Sequence, residues 1–189
     1  MLTERFDQAV LYAIELHRAQ VRKATTIPYV THLFAVCSLV LEDGGTEDEA
    51  IAALLHDGPE DQGGEPVLAE IRARFGDDVA ETVKGLSDDM PALGAEKGPW
   101  RQRKEAYLGH LEEATPSVLK VSLADKLHNA RSILIDLSGS GASVWDRFSA
   151  ARSEQAWYYQ TLLAIFERRQ PASRNLPELR RVVGELFGQ

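Results

Sequence analysis

The sequence predicts an all-α protein, a multi-helix bundle that forms a single domain over residues 1–189. Three observations favour this fold class. Apolar residues recur at helical spacing along most of the chain, and no run alternates apolar and polar residues as a half-buried strand does. Glycine and proline also fall between these segments, where helices would end. The composition, 44% hydrophobic and 26% charged, is that of an ordinary globular protein with a sizeable core.

The first half of the chain predicts five helices with identifiable ends. Thr46 and Glu49 have the spacing of a capping box, which starts the third helix. Gly58 and Pro59 end that helix, because the residue before a proline disfavours the helical conformation. The five predicted helices span residues 3–22, Thr31 to about Val40, Thr46 to His56, 66–75 and 77–87, the last two being separated at Gly76.

The second half predicts one exposed loop followed by four helices. Residues 88–99 are rich in acidic residues, proline and glycine, which is typical of a loop. Pro116 lies where a helix can begin, since proline is tolerated in the first turn. The predicted helices run from Trp100 to about Ala114, from Pro116 to about Leu137, over 144–169, and over about 176–187.

Charge and hydropathy exclude several classes of protein. The net charge of −8, from 21 basic and 29 acidic residues, argues against a general nucleic-acid binder, which needs a basic surface. A small phosphorylated ligand stays compatible, because a bound metal and a local basic patch can reverse the field within one cleft. The chain contains neither an apolar run long enough to span a membrane nor the core of a signal peptide, so we expect a cytoplasmic protein. The oligomeric state is left open.

The most informative stretch reads Ala-Ala-Leu-Leu-His-Asp-Gly-Pro-Glu-Asp and contains His56 and Asp57. An apolar run is followed directly by an imidazole and a carboxylate, which are therefore expected to be buried. Buried charge is costly unless it is paired or bound to metal. His32 and Asp125 are further candidate ligands, and the four residues would come from three helices, as in the metal sites of helical bundles. Mixed nitrogen and oxygen ligation is compatible with Mn, Fe, Zn or Mg.

These motifs resemble the HD superfamily of metal-dependent phosphohydrolases, and more narrowly the hydrolase domain of RelA/SpoT-type enzymes and the free-standing metazoan SpoT homologues. The resemblance covers roughly residues 5–165. It is carried by four stretches: Arg22-Lys23 before Pro28-Tyr29-Val30-Thr31-His32; Ala-Leu-Leu-His-Asp followed by Glu60-Asp61; Phe75-Gly76 with Val79; and Leu123-Ala124-Asp125-Lys126-Leu127-His128-Asn129.

The resemblance implies an HD-domain bundle that removes the 3′-pyrophosphate of ppGpp or a related nucleotide, with Mn²⁺ as the expected metal. Glu60 and Asp61 would orient the attacking water and accept its proton. The implied roles are metal ligation by His32, His56, Asp57 and Asp125, catalysis by Glu60 and Asp61, and substrate contact by Arg22, Lys23, Asn129 and Tyr158, the tyrosine by stacking on the purine.

Several other interpretations remain open from the sequence. Arg22 and Lys23 are expected to end the first helix, where basic residues also suit the helix dipole. His17, His110 and His128 are interpreted as structural or surface histidines. Alternative functions are another HD phosphohydrolase acting on a dNTP, a nucleoside monophosphate or NADPH, a non-catalytic nucleotide-binding module, and a metal-free helical interaction protein.

Overall fold

The fold is helical throughout the part of the chain that the computed structural model describes, residues 1–87 and 98–188. These residues contain no β-strand, only an isolated bridge between Val21 and Pro28. The all-α prediction is therefore confirmed, whereas a single domain over 1–189 stays a prediction. The α-helices are α1 Glu4–Leu16, α2 Val30–Glu42, α3 Glu47–Leu55, α4 Gly58–Gln62, α5 Glu65–Phe75, α6 Asp77–Leu86, α7 Trp100–Glu113, α8 Pro116–Ser140, α9 Arg152–Arg169 and α10 Leu176–Phe187, and a 3₁₀ helix spans Gly141–Arg147.

The first helix is shorter than predicted, which changes the setting of Arg22 and Lys23. Helix α1 ends at Leu16, and the following segment folds back on itself. The Arg22 N–H donates to the Ile27 carbonyl, and the Tyr29 N–H donates to the Gln20 carbonyl. The prediction that Arg22 and Lys23 end a helix was wrong, because these turn bonds replace the helical ones.

The starts of α2 and α4 also differ from the prediction. Tyr29 is the N-cap of α2, and the Thr31 hydroxyl donates instead to the Pro28 carbonyl. Gly58 and Pro59 open the short helix α4, since proline suits the first turn. Glu60 and Asp61 therefore lie inside a helix. The capping box that starts α3 is confirmed.

In the second half, the predicted helix over 144–169 was wrong in its first part. Residues 141–147 form the 3₁₀ helix, and α9 begins only at Arg152. Arg147 pairs with Asp136 of α8, and the Trp145 ring packs 5.6 Å from that of Phe187, so tertiary contacts bend this segment. The other three predicted helices are confirmed within a few residues. Most of the predicted loop at 88–99 lies outside the described residues.

Helix α8 occupies the centre of the bundle. It packs against α2, α3, α6, α9 and α10, and its Leu123 and Leu127 are fully buried. Helix α2 packs on both α3 and α8, so the three helices that carry the predicted metal ligands are mutual neighbours. No helix in the described ranges combines the length and apolar character needed to cross a bilayer.

Candidate metal centre

The structure brings the four predicted ligands together. His32 lies in α2, His56 caps the end of α3, Asp57 precedes α4, and Asp125 lies in the middle of α8. The His32 Nε2 is 3.1 Å from the Asp125 Oδ1, and the His56 Nε2 is 3.0 Å from the Asp57 Oδ2. The cross distances, His32 to Asp57 and His56 to Asp125, are 3.6 and 3.7 Å between the same atoms. One nitrogen or oxygen atom of each side chain thus faces a common point.

The donor set fits a divalent cation. The Nε2 atoms of His32 and His56 are buried without a hydrogen-bond partner, which is costly for a polar atom unless a ligand satisfies it. Two carboxylates and two neutral imidazoles carry a charge of about −2, which a divalent cation balances. His32, His56 and Asp57 also offer ligand atoms within 4.8 Å of one another. Ligation by the four residues stays a prediction, and this geometry supports it.

The pKa shifts of His56 and Asp57 also indicate that the site favours bound positive charge. Burial by itself lowers the pKa of His56, but Asp57 and Asp125 outweigh it and raise that pKa well above its ordinary value. Burial raises the pKa of Asp57, yet His56 and His32 hold it well below its usual range. A cation bound among these groups would supply the charge that the protons supply otherwise.

Hydrogen bonds from surrounding residues orient three of the four predicted ligands. The Nδ1–H of His56 donates to the Ala53 carbonyl at 2.8 Å, so the neutral ring has its lone pair on Nε2. The Tyr29 hydroxyl donates to the Asp57 Oδ2 at 2.6 Å. Both oxygens of Asp125 accept a bond of 2.6 Å, one from the Lys126 ammonium and one from the Asn129 amide.

Tyr29, Lys126 and a further residue, His128, support the predicted ligands, and the sequence did not predict this role for any of them. The Nδ1 atoms of His32 and His128 lie 2.7 Å apart. Burial, together with His32 and Arg22, lowers the pKa of His128 to about 4, so its ring is neutral near neutral pH. A usable signal was present, because His128 follows Asp125 by three residues and residues so spaced share a helix face.

Glu60 and Asp61 have different surroundings. Glu60 lines a small polar cavity of about 130 Å³ together with His56, Asp57 and Asp125. Asp61 is absent from that lining, and its Oδ2 accepts a 2.8 Å bond from the Gln20 amide.

The Gln20 amide has one compatible orientation. An ionised Asp61 carboxylate can only accept, so the Gln20 NH₂ group must face it, and the Gln20 Oε1 then accepts from the Nδ1–H of His17 and from the Gln62 amide. Gln20 and His17 were also missed, and no motif in the sequence pointed to them.

A larger cleft of about 490 Å³ adjoins the small cavity, and all four predicted substrate contacts line it. The two spaces share the side chains of Arg22, Tyr29, Lys104, Lys126 and Asn129. Arg22 donates to the Asn129 Oδ1 at 2.7 Å, which links the cleft wall to Asp125.

The cleft is basic although the chain carries a charge of −8. Its described lining contains one carboxylate, Asp136, which pairs with Arg147. The basic side chains of that lining are Arg22, Lys23, Lys104, Lys126 and Arg147. A polyanionic ligand would therefore meet local positive charge at the entrance to the metal centre.

Tyr158 lines the cleft with 4% of its surface exposed, and its hydroxyl is buried without a partner. Its ring packs edge-on against Trp100 at 5.9 Å and Tyr159 at 5.8 Å. Stacking of this ring on a purine stays a prediction.

Cavity volume alone does not locate the site. A cavity of about 720 Å³ lies between α6, α7 and the starts of α3 and α8. None of the predicted ligands or substrate contacts lines it.

Comparisons with known proteins point to one family. A family model described as HD domain matches residues 9–155. The guanosine-3′,5′-bis(diphosphate) 3′-pyrophosphohydrolase MESH1 of Xenopus tropicalis is 34% identical over 129 residues, which is 67% of this chain and 68% of that protein. The crystal structure of lmo0812 from Listeria monocytogenes EGD-e has a TM-score of 0.71 at 29% identity, and the match covers 84% of this chain and 99% of the other. A metazoan orthologue of SpoT that hydrolyses ppGpp has a TM-score of 0.77 at 23% identity over 100% and 99% of the two chains, a likeness of fold.

Proposed function

The chain belongs to the HD-domain family, and on that premise we propose that it is a metal-dependent phosphohydrolase acting on ppGpp or a related nucleotide with a 3′-pyrophosphate. The observation that carries the proposal is the convergence of four nitrogen and oxygen atoms of the predicted ligands, three of which line the small cavity that adjoins the basic cleft. The MESH1 relative, named for this activity, supports the substrate. We propose the cytoplasm as its location, as the sequence predicts.

The reaction would consume one water and break the bond between the ribose 3′-oxygen and phosphorus. Pyrophosphate would leave, and the nucleotide would keep a 3′-hydroxyl. His32, His56, Asp57 and Asp125 would hold the metal, which we propose to be Mn²⁺. A bound divalent metal supplies Lewis acidity and lowers the pKa of water.

The chain's own groups would carry out the remaining steps. Glu60 lines the cavity beside the ligands, so it is placed to accept a proton from the attacking water. Asp61 would orient that water while the Gln20 amide holds its carboxylate in place. Arg22, Lys23 and Asn129 line the cleft and would bind phosphate and ribose oxygens.

A substrate and metal panel tests the proposal. We expect the chelator-treated protein to be inactive and Mn²⁺ to restore hydrolysis of ppGpp to GDP and pyrophosphate, identified by chromatography. The same assays should include dNTPs, a nucleoside monophosphate and NADPH, with Mg²⁺ and Zn²⁺ tested in parallel. Faster hydrolysis of one of these other nucleotides would assign a different HD activity. Binding without turnover of any of them would indicate a non-catalytic module.

Removing two basic side chains from the cleft should weaken binding of the substrate. We expect Arg22→Ala combined with Lys23→Ala to raise KM for ppGpp by about tenfold or more, because hydrogen bonds to charged groups contribute about 1.5–3 kcal/mol each. Metal affinity should stay unchanged, and the salt dependence of kcat/KM should flatten, since salt screens the charges that are removed. Steady-state kinetics at low and moderate salt measure both effects.

A matched control separates the effect of charge in the cleft from the effect of the overall charge of the protein. Arg180→Ala combined with Arg181→Ala removes the same charge from exposed residues of α10 outside the cleft. This control should keep the wild-type KM and salt slope. If both double variants behave like wild type, the phosphate site lies elsewhere on the cleft wall, at Lys104, Lys126 or Arg147.

A further inference from the structure

His32 and His128 form a hydrogen-bonded imidazole pair beside the metal centre. Their Nδ1 atoms are 2.7 Å apart, and their ring centroids are 4.8 Å apart. A neutral imidazole has one N–H and one lone pair, so one ring must donate and the other must accept. The tautomer of each histidine is therefore coupled to that of the other.

The surroundings of His32 decide which ring donates when the site is to hold a cation. The His32 Nε2 is buried, has no hydrogen-bond partner, and lies 3.1 Å from the Asp125 Oδ1. A metal ligand must present a lone pair at that atom. The hydrogen of His32 then lies on Nδ1 and is donated to the Nδ1 of His128.

This arrangement determines the remaining hydrogen of His128. With its Nδ1 accepting, the neutral ring must carry its hydrogen on Nε2, at the opposite edge. The ring is half-buried and lines the 490 Å³ cleft beside Arg22 and Asn129. An N–H donor in that wall suits an anionic oxygen, because hydrogen bonds to charged acceptors are the stronger ones.

We propose that His128 is a positioning residue that holds His32 in its metal-binding tautomer and presents its own Nε2–H to a phosphate oxygen of the substrate. The second part rests on the proposed function, whereas the first concerns metal binding alone. His128 was expected from the sequence to be structural or at the surface, so this role comes from the packing of α8 on α2.

Two isosteric substitutions separate the two parts of the proposal. In His128→Asn the amide oxygen lies near the former Nδ1 and can accept from His32, but the Nε2–H donor is lost. In His128→Gln the amide reaches the former Nε2 position and can donate to the cleft, but the acceptor for His32 is lost. His110→Asn is a control at an exposed histidine outside the cleft.

We expect opposite patterns from the two variants. Titration calorimetry with Mn²⁺ alone should give wild-type affinity for His128→Asn and about 10–100-fold weaker binding for His128→Gln, the usual cost of losing such an orienting partner. At saturating metal, KM for ppGpp should rise about tenfold in His128→Asn and stay near wild type in His128→Gln.

Each contrary result overturns one of the two parts of the proposal. Equal metal affinity of the two variants overturns the tautomer role, and an unchanged KM in His128→Asn overturns the donor role. If the wild-type protein hydrolyses no nucleotide while the metal affinities differ as expected, the proposed function fails and the tautomer role stands.

Spectra of the wild-type protein test the tautomers without any substitution. Long-range ¹H–¹⁵N spectra of the Zn²⁺-loaded protein, which is diamagnetic, should show His32 as the Nδ1–H form and His128 as the Nε2–H form. The opposite assignment overturns the proposal even if the variants do not fold.

Discussion

We expect the Asp57→Ala variant to lose its bound metal and nearly all hydrolytic activity. The Asp57 Oδ2 lies 3.0 Å from the His56 Nε2 and 3.6 Å from the His32 Nε2, so its removal takes away one of the four converging atoms of the predicted ligand set. The site also loses one of the two negative charges that balance a divalent cation. Metal analysis of the purified variant and a ppGpp assay with added Mn²⁺ measure the two losses.

Thermal unfolding separates this effect from a loss of the fold. A ligand that binds only the folded state raises Tm, so Mn²⁺ should raise the Tm of wild type and leave that of Asp57→Ala unchanged. Asp77→Ala is the control, because that carboxylate is 79% exposed and pairs with Arg72 away from the site. Full metal occupancy and wild-type turnover in Asp57→Ala would refute the four-ligand assignment.

Glu60→Gln and Asp61→Asn are expected to lower kcat by about 10²–10⁴-fold while the metal stays bound, the usual range for losing acid–base assistance. Each amide keeps the size of the side chain and removes its charge and basicity. We expect the larger loss for Glu60→Gln, because Glu60 lines the cavity next to the ligands and Asp61 does not. Asp61→Asn keeps an oxygen that can still accept from Gln20.

The controls for this pair are metal content and a neighbouring substitution. Glu65→Gln changes an exposed glutamate at the start of α5 and should behave like wild type. If Glu60→Gln or Asp61→Asn loses metal as Asp57→Ala does, the acid concerned is a ligand, and the division between ligands and proton acceptors is wrong.

Local patterns carried the sequence predictions that the structure confirmed. The capping box at Thr46 and Glu49, the break at Gly76 and the helix over 176–187 each depend on residues within one or two turns of chain. The motif residues His56 and Asp57 are likewise adjacent in sequence. Such signals are readable because the hydrogen bonds and apolar spacing that produce them are local.

The wrong helix boundaries arose where turn bonds or contacts with another helix replace the helical hydrogen bonds. Residues 17–22 were predicted to continue the first helix, yet α1 ends at Leu16 and the following residues bond in turns, with Arg22 donating to Ile27 and Tyr29 donating to Gln20. The stretch 144–151 has suitable aromatic spacing, but its first part is a 3₁₀ helix in which Arg147 pairs with Asp136 of α8. Neither contact can be read from periodicity.

The sequence by itself determined the helical class and the family, and it predicted the types of metal ligand, because these depend on composition, periodicity and short motifs. Only the tertiary structure decided which atoms meet. It placed His32 3.1 Å from Asp125, paired His32 with His128, and set Gln20 against Asp61. The physical reason is that helix packing sets the register between side chains far apart in the chain, and buried polar groups then take the partners that this register provides.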